Sequence, residues 1–373
     1  MSHNPDQAFE HFLDSGPGPT IIIDGQPYLY FGGTGYYGLQ THPKLIGAAI
    51  DALTRYGMHA ATTRGLYGNT RLYRDVETKA AEFFGTEAAV YLPSGYLCNL
   101  AAFQGLFSAA PFDVALIDES AHFSAADVLP ILRTPIVKFA HCDADDLHRK
   151  LTSHLRHGQR GLIISDGVFP LMGRIAPIPE YVEASTSFDV TFWIDDAHAI
   201  GVLGDRGRGT YDHYGLRSDR LLFGGTLSKA FGAYGGIIPG SNELIQLIRA
   251  GHVMTAATAC PSSAAAAALA GFELLMCDPE MRDQLRRNVR QLKTGLRDLG
   301  LPIDTSPVPV AAWMLESSAA MDCIHAALMR HGICIQRARY IGGNSAGVLR
   351  VVVFSTHTPE QIRRLIGELG ALL

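Results

Sequence analysis

Several things are scarce in this chain, and each scarcity excludes a class of protein. No lysine/arginine cluster occurs in its 373 residues, and 31 Lys+Arg against 36 Asp+Glu leave a formal net charge of −5. Nucleic acids and anionic membranes are gripped by basic faces, so neither partner is expected. The one basic stretch, from His154 to Arg160, is short and reads as a helix end with its loop. Six cysteines (Cys98, Cys142, Cys260, Cys277, Cys323, Cys334) form no CxxC pair, so neither a metal site nor a disulfide framework is expected. Reduced, mostly buried thiols fit a cytoplasmic protein, the expected location. The first 18 residues carry no apolar core of a signal peptide, so no secretory leader is expected. No run is long and apolar enough to span a bilayer. The nearest, Ser262 to Met276, contains Glu273 and many small residues, which suits a close-packed core helix. There is no internal repeat. No G-x-G-x-x-G opens a helix after the first strand, which removes the fingerprint of a nicotinamide oxidoreductase.

What is present fits a well-buried globular enzyme, with 47% hydrophobic and 18% charged residues. Short apolar runs alternate with helical patterns: Ala88–Leu92, Val114–Ile117, Ile136–Phe139, Gly161–Ile164, Val190–Ile194 and Leu221–Phe223. That alternation predicts an α/β fold with a mostly parallel sheet covered on both faces. Ligands in such sheets gather at the carboxyl ends of the strands. The candidates for chemistry are therefore the residues that close the runs: Ser94-Gly95-Tyr96, Asp118, Asp166, Asp195-Asp196 and Thr226. Thr20 to Phe31 reads as a hairpin with Gly25-Gln26 as its turn. From these patterns we expect an N-terminal arm over 1–44, a large domain over 45–278 and a smaller α+β domain over 279–373.

Lys229 stands between small residues in Gly224-Gly225-Thr226-Leu227-Ser228-Lys229-Ala230-Phe231-Gly232, just after a predicted strand. Glycines on both sides let a bulky carbonyl ligand approach a Schiff-base lysine. A solvated loop lysine fits the stretch equally well. In Asp195-Asp196-Ala197-His198 a strand ends on a carboxylate followed three residues later by a histidine. Such a carboxylate suits a pyridine nitrogen that must stay protonated, and a capped strand with a core histidine is the plainer alternative. Ser94-Gly95-Tyr96 opens a helix, where free N–H groups hold a phosphate or merely make a tight turn. His122 follows the next strand and is placed either to stack on a flat heteroaromatic ligand or to pack in a loop.

The order Ser-Gly-Tyr, His, Asp-Asp-Ala-His and Thr-x-x-Lys resembles the fold-type I pyridoxal-phosphate (PLP) enzymes of aminotransferase class I/II, and more closely the α-oxoamine synthases. The similarity runs from about Tyr28 to the end. It implies an aspartate-aminotransferase-like fold with a mostly parallel seven-stranded sheet in the large domain, and a homodimer with active sites at the interface. It also implies pyridoxal 5'-phosphate, and condensation of a small amino acid with an acyl thioester on coenzyme A or a carrier protein, with decarboxylation. An aminotransferase, decarboxylase or lyase on the same scaffold is the alternative reaction. By position, Lys229 resembles the Schiff-base lysine, Asp195 the pyridinium partner, His198 the contact to the phenolic oxygen and His122 the stacking histidine. Gly95, Tyr96 and Thr226 match the phosphate side. Thr258 falls where the family reaches the neighbouring subunit's phosphate. Arg350, in Val348-Leu349-Arg350-Val351-Val352, matches the arginine that grips the substrate carboxylate, a bidentate task suited to a guanidinium.

Three departures lie on the substrate side. Pro170 replaces a usual serine, Thr34 stands for a substrate-facing asparagine, and Arg337 to Gly343 replaces a proline-rich segment. Tyr37, Arg339 and Tyr340 are further candidate substrate contacts, with packing roles as the alternative.

Overall fold

The computed structural model describes residues 11–373, so the first ten residues of the expected arm and signal-free leader lie outside the described residues. Thirteen strands are described: β1 (Thr20–Ile23), β2 (Gln26–Tyr30), β3 (Ala88–Leu92), β4 (Val114–Asp118), β5 (Ile136–Phe139), β6 (Arg160–Asp166), β7 (Asp189–Asp195), β8 (Leu221–Thr226), β9 (Gly236–Gly240), β10 (Val310–Trp313), β11 (Ile333–Cys334), β12 (Gln336–Ala338) and β13 (Val348–Val352). Seven of them form the main sheet in the order β3-β9-β8-β7-β6-β4-β5. The pairs from β8 through β5 are parallel, while β9 runs antiparallel to both β3 and β8. Six of the seven strands were legible in the sequence. The seventh, β9, was missed because Gly236-Ile237-Ile238-Pro239-Gly240 looks like a turn.

The sheet is buried on both faces because its strands send alternate side chains into two cores. On β6, Leu162 and Ile164 enter the cluster that also holds Leu244, Ile245 and Ile248 of the helix Asn242–Ala250. Ile163 points the other way, into the cluster that holds Val76 and Ala80 of the helix Arg71–Phe84 and Phe272 of the helix Ser262–Cys277. The predicted core helix is thus confirmed, its small residues packing close.

That second core also fixes the lysine segment. Phe231, two residues past Lys229, lies 4.5 Å from Phe272 and 5.5 Å from Phe83 between ring centroids. Burying such a ring stabilises by about 1.5–3 kcal/mol. Gly232 follows at φ +62°, and a Cβ there would fall 2.3 Å from that of Leu39. The chain therefore turns back sharply only because residue 232 is glycine, which holds Lys229 at the sheet's edge.

Two smaller sheets complete the fold. β10-β13-β12 is antiparallel, and Arg350 in its central strand faces Ala312 and Gln336. The helices Pro279–Asp298, Ser318–Arg330 and Pro359–Leu372 accompany it. The last of these begins with a capping box, Thr358 and Gln361 exchanging side-chain-to-backbone bonds ahead of Pro359. β1 and β2 form the expected hairpin, but its turn is Asp24-Gly25, both at positive φ, with Gln26 already paired to Ile23. A two-residue turn of that type matches the strand twist, so the turn sits one residue earlier than the sequence reading placed it. β2 also pairs in parallel with β11, stitching the hairpin to the C-terminal part of the chain.

Candidate active site

The carboxyl ends of β4, β6, β7 and β8 converge on a cavity of about 750 Å³ whose far wall comes from β12, β13 and the segment after β12. Its lining includes Thr34, His122, His198, Lys229 and Arg350. Residues scattered over more than 300 positions therefore share one space. Lys229 makes no hydrogen bond or ion pair among the described residues. Burial pushes its amine down to about 8, against the opposing pull of Asp195 and Asp166 and with help from Arg350. A lysine so placed is a usable nucleophile near neutral pH, and the solvated-loop alternative fails.

Asp195 ends β7 beside Asp166 at the end of β6 and Gly224 on β8. Its carboxylate accepts from Asn99 Nδ2 at 3.0 Å and from the backbone N–H of Ala197 at 3.1 Å. Asn99 is fully buried, the one amide on the buried face of the helix Tyr96–Ala109, and its Oδ1 accepts from Trp193 Nε1 at 2.6 Å. Asp166 is buried next to Asp195, and burial first, then that neighbouring charge, raises its carboxyl well above the usual range. Asp196, the second aspartate of the motif, points away. It accepts from Thr210 N–H and Oγ1, both at 2.8 Å, and burial pushes it up to about 7.

His198 is buried, and its Nδ1 meets Tyr36 Oη at 2.7 Å. Burial, with Lys229 and Arg350 nearby, holds this imidazole neutral. His122 caps the short helix Phe123–Ala126, with its Nδ1 2.7 Å from Ser124 Oγ and its Nε2 2.8 Å from Tyr340 Oη. Burial lowers its proton affinity as well.

Gly95 lies under Thr226. A Cβ on Gly95 would sit 2.4 Å from Thr226 Cβ, so the glycine is required by close approach, its φ of −61° being ordinary. Thr226 Oγ1 is 2.8 Å from Ser228 Oγ and donates to Gly235 O at 3.2 Å. The ring of Tyr96 is half-exposed and reaches Asp127 outside the cavity. Thr258 is exposed and bridges to Thr63, away from the cavity.

Arg350 is only 5% exposed, so it is not a surface arginine held by an exposed ion pair. Its Nε donates to Pro170 O at 3.0 Å and Nη1 to Gln336 Oε1. The proline that departs from the family pattern thus contributes its carbonyl to orient the guanidinium. Arg339 and Tyr340 do line the cavity. Tyr37 does not: it is buried and donates to Gly201 O at 2.6 Å, a packing role. Its neighbour Tyr36 is the tyrosine whose hydroxyl meets His198 Nδ1 behind the cavity wall. Asn99, Ser124, Tyr36 and Gln336 were missed in the sequence. Only Asn99 left a signal, as the polar residue in Leu97-Cys98-Asn99-Leu100-Ala101.

The aminotransferase class I and II family matches residues 31–369. The chain belongs to that family. It is 34% identical over 354 residues to 8-amino-7-oxononanoate synthase of Thermoanaerobacter pseudethanolicus, covering 94% of this chain and 89% of that one. Against the enzyme of the same name from Symbiobacterium thermophilum it is 34% identical over 353 residues, with 94% and 89% covered. Among solved structures, Sphingomonas wittichii serine palmitoyltransferase superposes with a TM-score of 0.91 at 28% identity, covering 98% of this chain and 92% of that one. The S. paucimobilis serine palmitoyltransferase, solved with a bound PLP–myriocin aldimine, gives 0.90 at 27% with the same coverage. The chain is therefore a PLP-dependent transferase of the α-oxoamine synthase type, with the fold-type I architecture. It condenses a small amino acid with an acyl thioester, with decarboxylation, to an α-amino ketone.

Proposed function

We propose that the cavity between Lys229 and Arg350 is the active site of this condensation and that its acyl substrate ends in a carboxylate. The single observation that carries the site assignment is the convergence of Lys229, His122, His198 and Arg350 on one space. The donor set fits PLP: an unpartnered lysine amine, a fixed aspartate for the ring nitrogen, and His198 for the phenolic oxygen. A glycine cradle at Gly95 beside the hydroxyls of Thr226 and Ser228 suits the phosphate. His122 covers one face. Bound PLP supplies the sink for the electron pair left at the amino acid's α carbon.

Arg350 holds the substrate carboxylate, its guanidinium aimed by Pro170 and Gln336. Thr34, on the same wall, faces the amino acid. Lys229, once free, takes the α proton, and its depressed affinity for that proton lets it act as base near neutral pH. The relatives' product name, an oxononanoate, describes a carboxylate-ended chain. Arg339 gives that reading support, since it lies on the cavity wall with only a 3.5 Å contact to Ser318 Oγ.

The homodimer is part of the proposal. Met58, Leu66 and Tyr67 are exposed apolar side chains near the Thr63–Thr258 bridge, and Tyr67 is 98% exposed. Apolar exposure on that scale marks a contact surface, and Thr258 would then serve the neighbouring subunit's phosphate. The division into 1–44, 45–278 and 279–373 and a cytoplasmic location also stand as proposals. The separate small sheet supports the first. No described helix is long and apolar enough to cross a membrane.

The test is a panel of alanine, serine and glycine with carboxylate-ended and plain acyl-CoA, following free thiol and α-amino ketone. Thiol release greatest with a carboxylate-ended acyl group is expected. A keto-acid product without any thioester would replace the synthase reading with transamination.

A further inference from the structure

Trp193 Nε1 can only donate, so its contact fixes Asn99 Oδ1 as an acceptor and leaves Asn99 Nδ2 as the donor. That amide gives its two hydrogens to Asp195 Oδ2 and, at 2.8 Å, to Ser124 Oγ. Ser124 Oγ has then accepted one bond and places its one hydrogen on the nearer acceptor, His122 Nδ1 at 2.7 Å rather than Asp195 Oδ2 at 3.5 Å; that nitrogen also receives the backbone N–H of Ser124 at 3.1 Å. A nitrogen taking two donors carries no proton, so the hydrogen of the neutral ring sits on Nε2. Nε2–H points at Tyr340 Oη, 2.8 Å away. The phenol accepts there, and its own hydrogen has no partner among the described residues. It lies on the wall of the cavity that holds Lys229 and Arg350.

We propose that the Tyr340 hydroxyl is the hydrogen-bond donor to the carbonyl oxygen of the incoming acyl thioester, with Asn99, Ser124 and His122 as positioning residues behind it. This rests on the condensation reading above. The amino acid's carboxylate belongs to Arg350, which is buried, whereas Tyr340 is 40% exposed at the solvent side, where a carrier-borne thioester must enter. As the new C–C bond forms at the thioester carbon, its π pair moves onto oxygen, toward Tyr340. Return of that pair expels the thiolate, which takes a proton from solvent and leaves as free thiol. Tyr340 keeps its proton throughout, and burial together with Asp166 and Asp195 raises its ionisation above the usual range. Each bond of the chain polarises the next O–H or N–H, which strengthens the last donor. Tyr340 comes from the segment Arg337 to Gly343 that departs from the family pattern, so this donor belongs to the chain's own substrate chemistry.

Tyr340→Phe keeps the ring and its edge contact with Phe123 while removing only the hydroxyl. Two rates separate the steps: thiol release with acyl-CoA, and exchange of the amino acid's α proton in D₂O by NMR without any thioester. Thiol release should fall about 100-fold, the scale for losing one oxyanion donor. Proton exchange and amino-acid affinity should stay within about twofold, with the melting temperature unchanged to confirm folding. Equal losses in both rates would assign Tyr340 to the amino acid and overturn the proposal, as would no loss in either. A wild-type enzyme that exchanges the proton but releases no thiol would refute the condensation reading instead.

Discussion

Replacing Asn99 by leucine is the most searching test of how Asp195, the aspartate proposed for the ring nitrogen, is held. The two side chains share the same branched four-heavy-atom shape, leucine being the bulkier, so the change removes hydrogen bonds without opening a cavity. Trp193 Nε1, fully buried, loses its acceptor, and an unsatisfied buried donor costs about 1–3 kcal/mol. Asp195 loses a charge-assisted bond of roughly 1.5–3 kcal/mol but keeps the Ala197 N–H. Ser124 loses a neutral bond of about 1 kcal/mol. Burying leucine's apolar surface returns about 1.5–3 kcal/mol, so the net loss should be about 2–4 kcal/mol. Urea unfolding of the cofactor-free protein measures it. Because Asp195 becomes free to rotate, PLP affinity should weaken about tenfold, roughly a further 1.4 kcal/mol at that site. Asn99→Asp should preserve the Trp193 bond yet weaken PLP binding, by setting a second carboxylate 3.0 Å from Asp195. A stability loss under about 1 kcal/mol for the leucine variant, with unchanged PLP affinity, would refute the relay.

The rate at which cofactor-free protein captures PLP should rise about tenfold per pH unit and level off above about 8, because only the neutral Lys229 amine attacks. A flat profile between pH 6 and 9, followed by absorbance, would contradict it. Gly95→Ala sets a methyl 2.4 Å from Thr226 Cβ, and the forced shift should cost about 1–3 kcal/mol of PLP affinity in a titration. Unchanged affinity would remove Gly95 and Thr226 from the phosphate side. His357 is buried, stacks on Phe31 at 4.2 Å, accepts from Phe354 N–H and donates to Tyr30 O. Burial pushes it down to about 4. Between that value and the unfolded histidine's 6.5 only the unfolded chain binds the proton. Stability therefore falls as pH drops through this window, by at most about 3 kcal/mol. Denaturant midpoints at pH 7.5 and 4.5 for wild type and His357→Gln check it, the variant losing the dependence.

The sequence by itself determined the chemistry of the reactive groups and the order in which they leave the sheet. Lys229 is flanked by glycines that close packing demands, and Asp195 and His198 stand at the end of an apolar run that could only be a buried strand. Six of seven sheet strands and the core helix from Ser262 were readable because alternation and length are local signals. Tertiary structure decided which residues meet. Asn99 and Ser124 touch Asp195 from 96 and 71 positions away, and Tyr340 reaches His122 across 218, contacts no local pattern encodes. It also decided which of two adjacent tyrosines meets His198. Tyr36 faces His198 while Tyr37 packs behind, a choice set by the direction of one backbone segment against the sheet. The depressed proton affinity of Lys229 arises the same way, from burial and a nearby guanidinium that only folding supplies, in spite of the two carboxylates beside it.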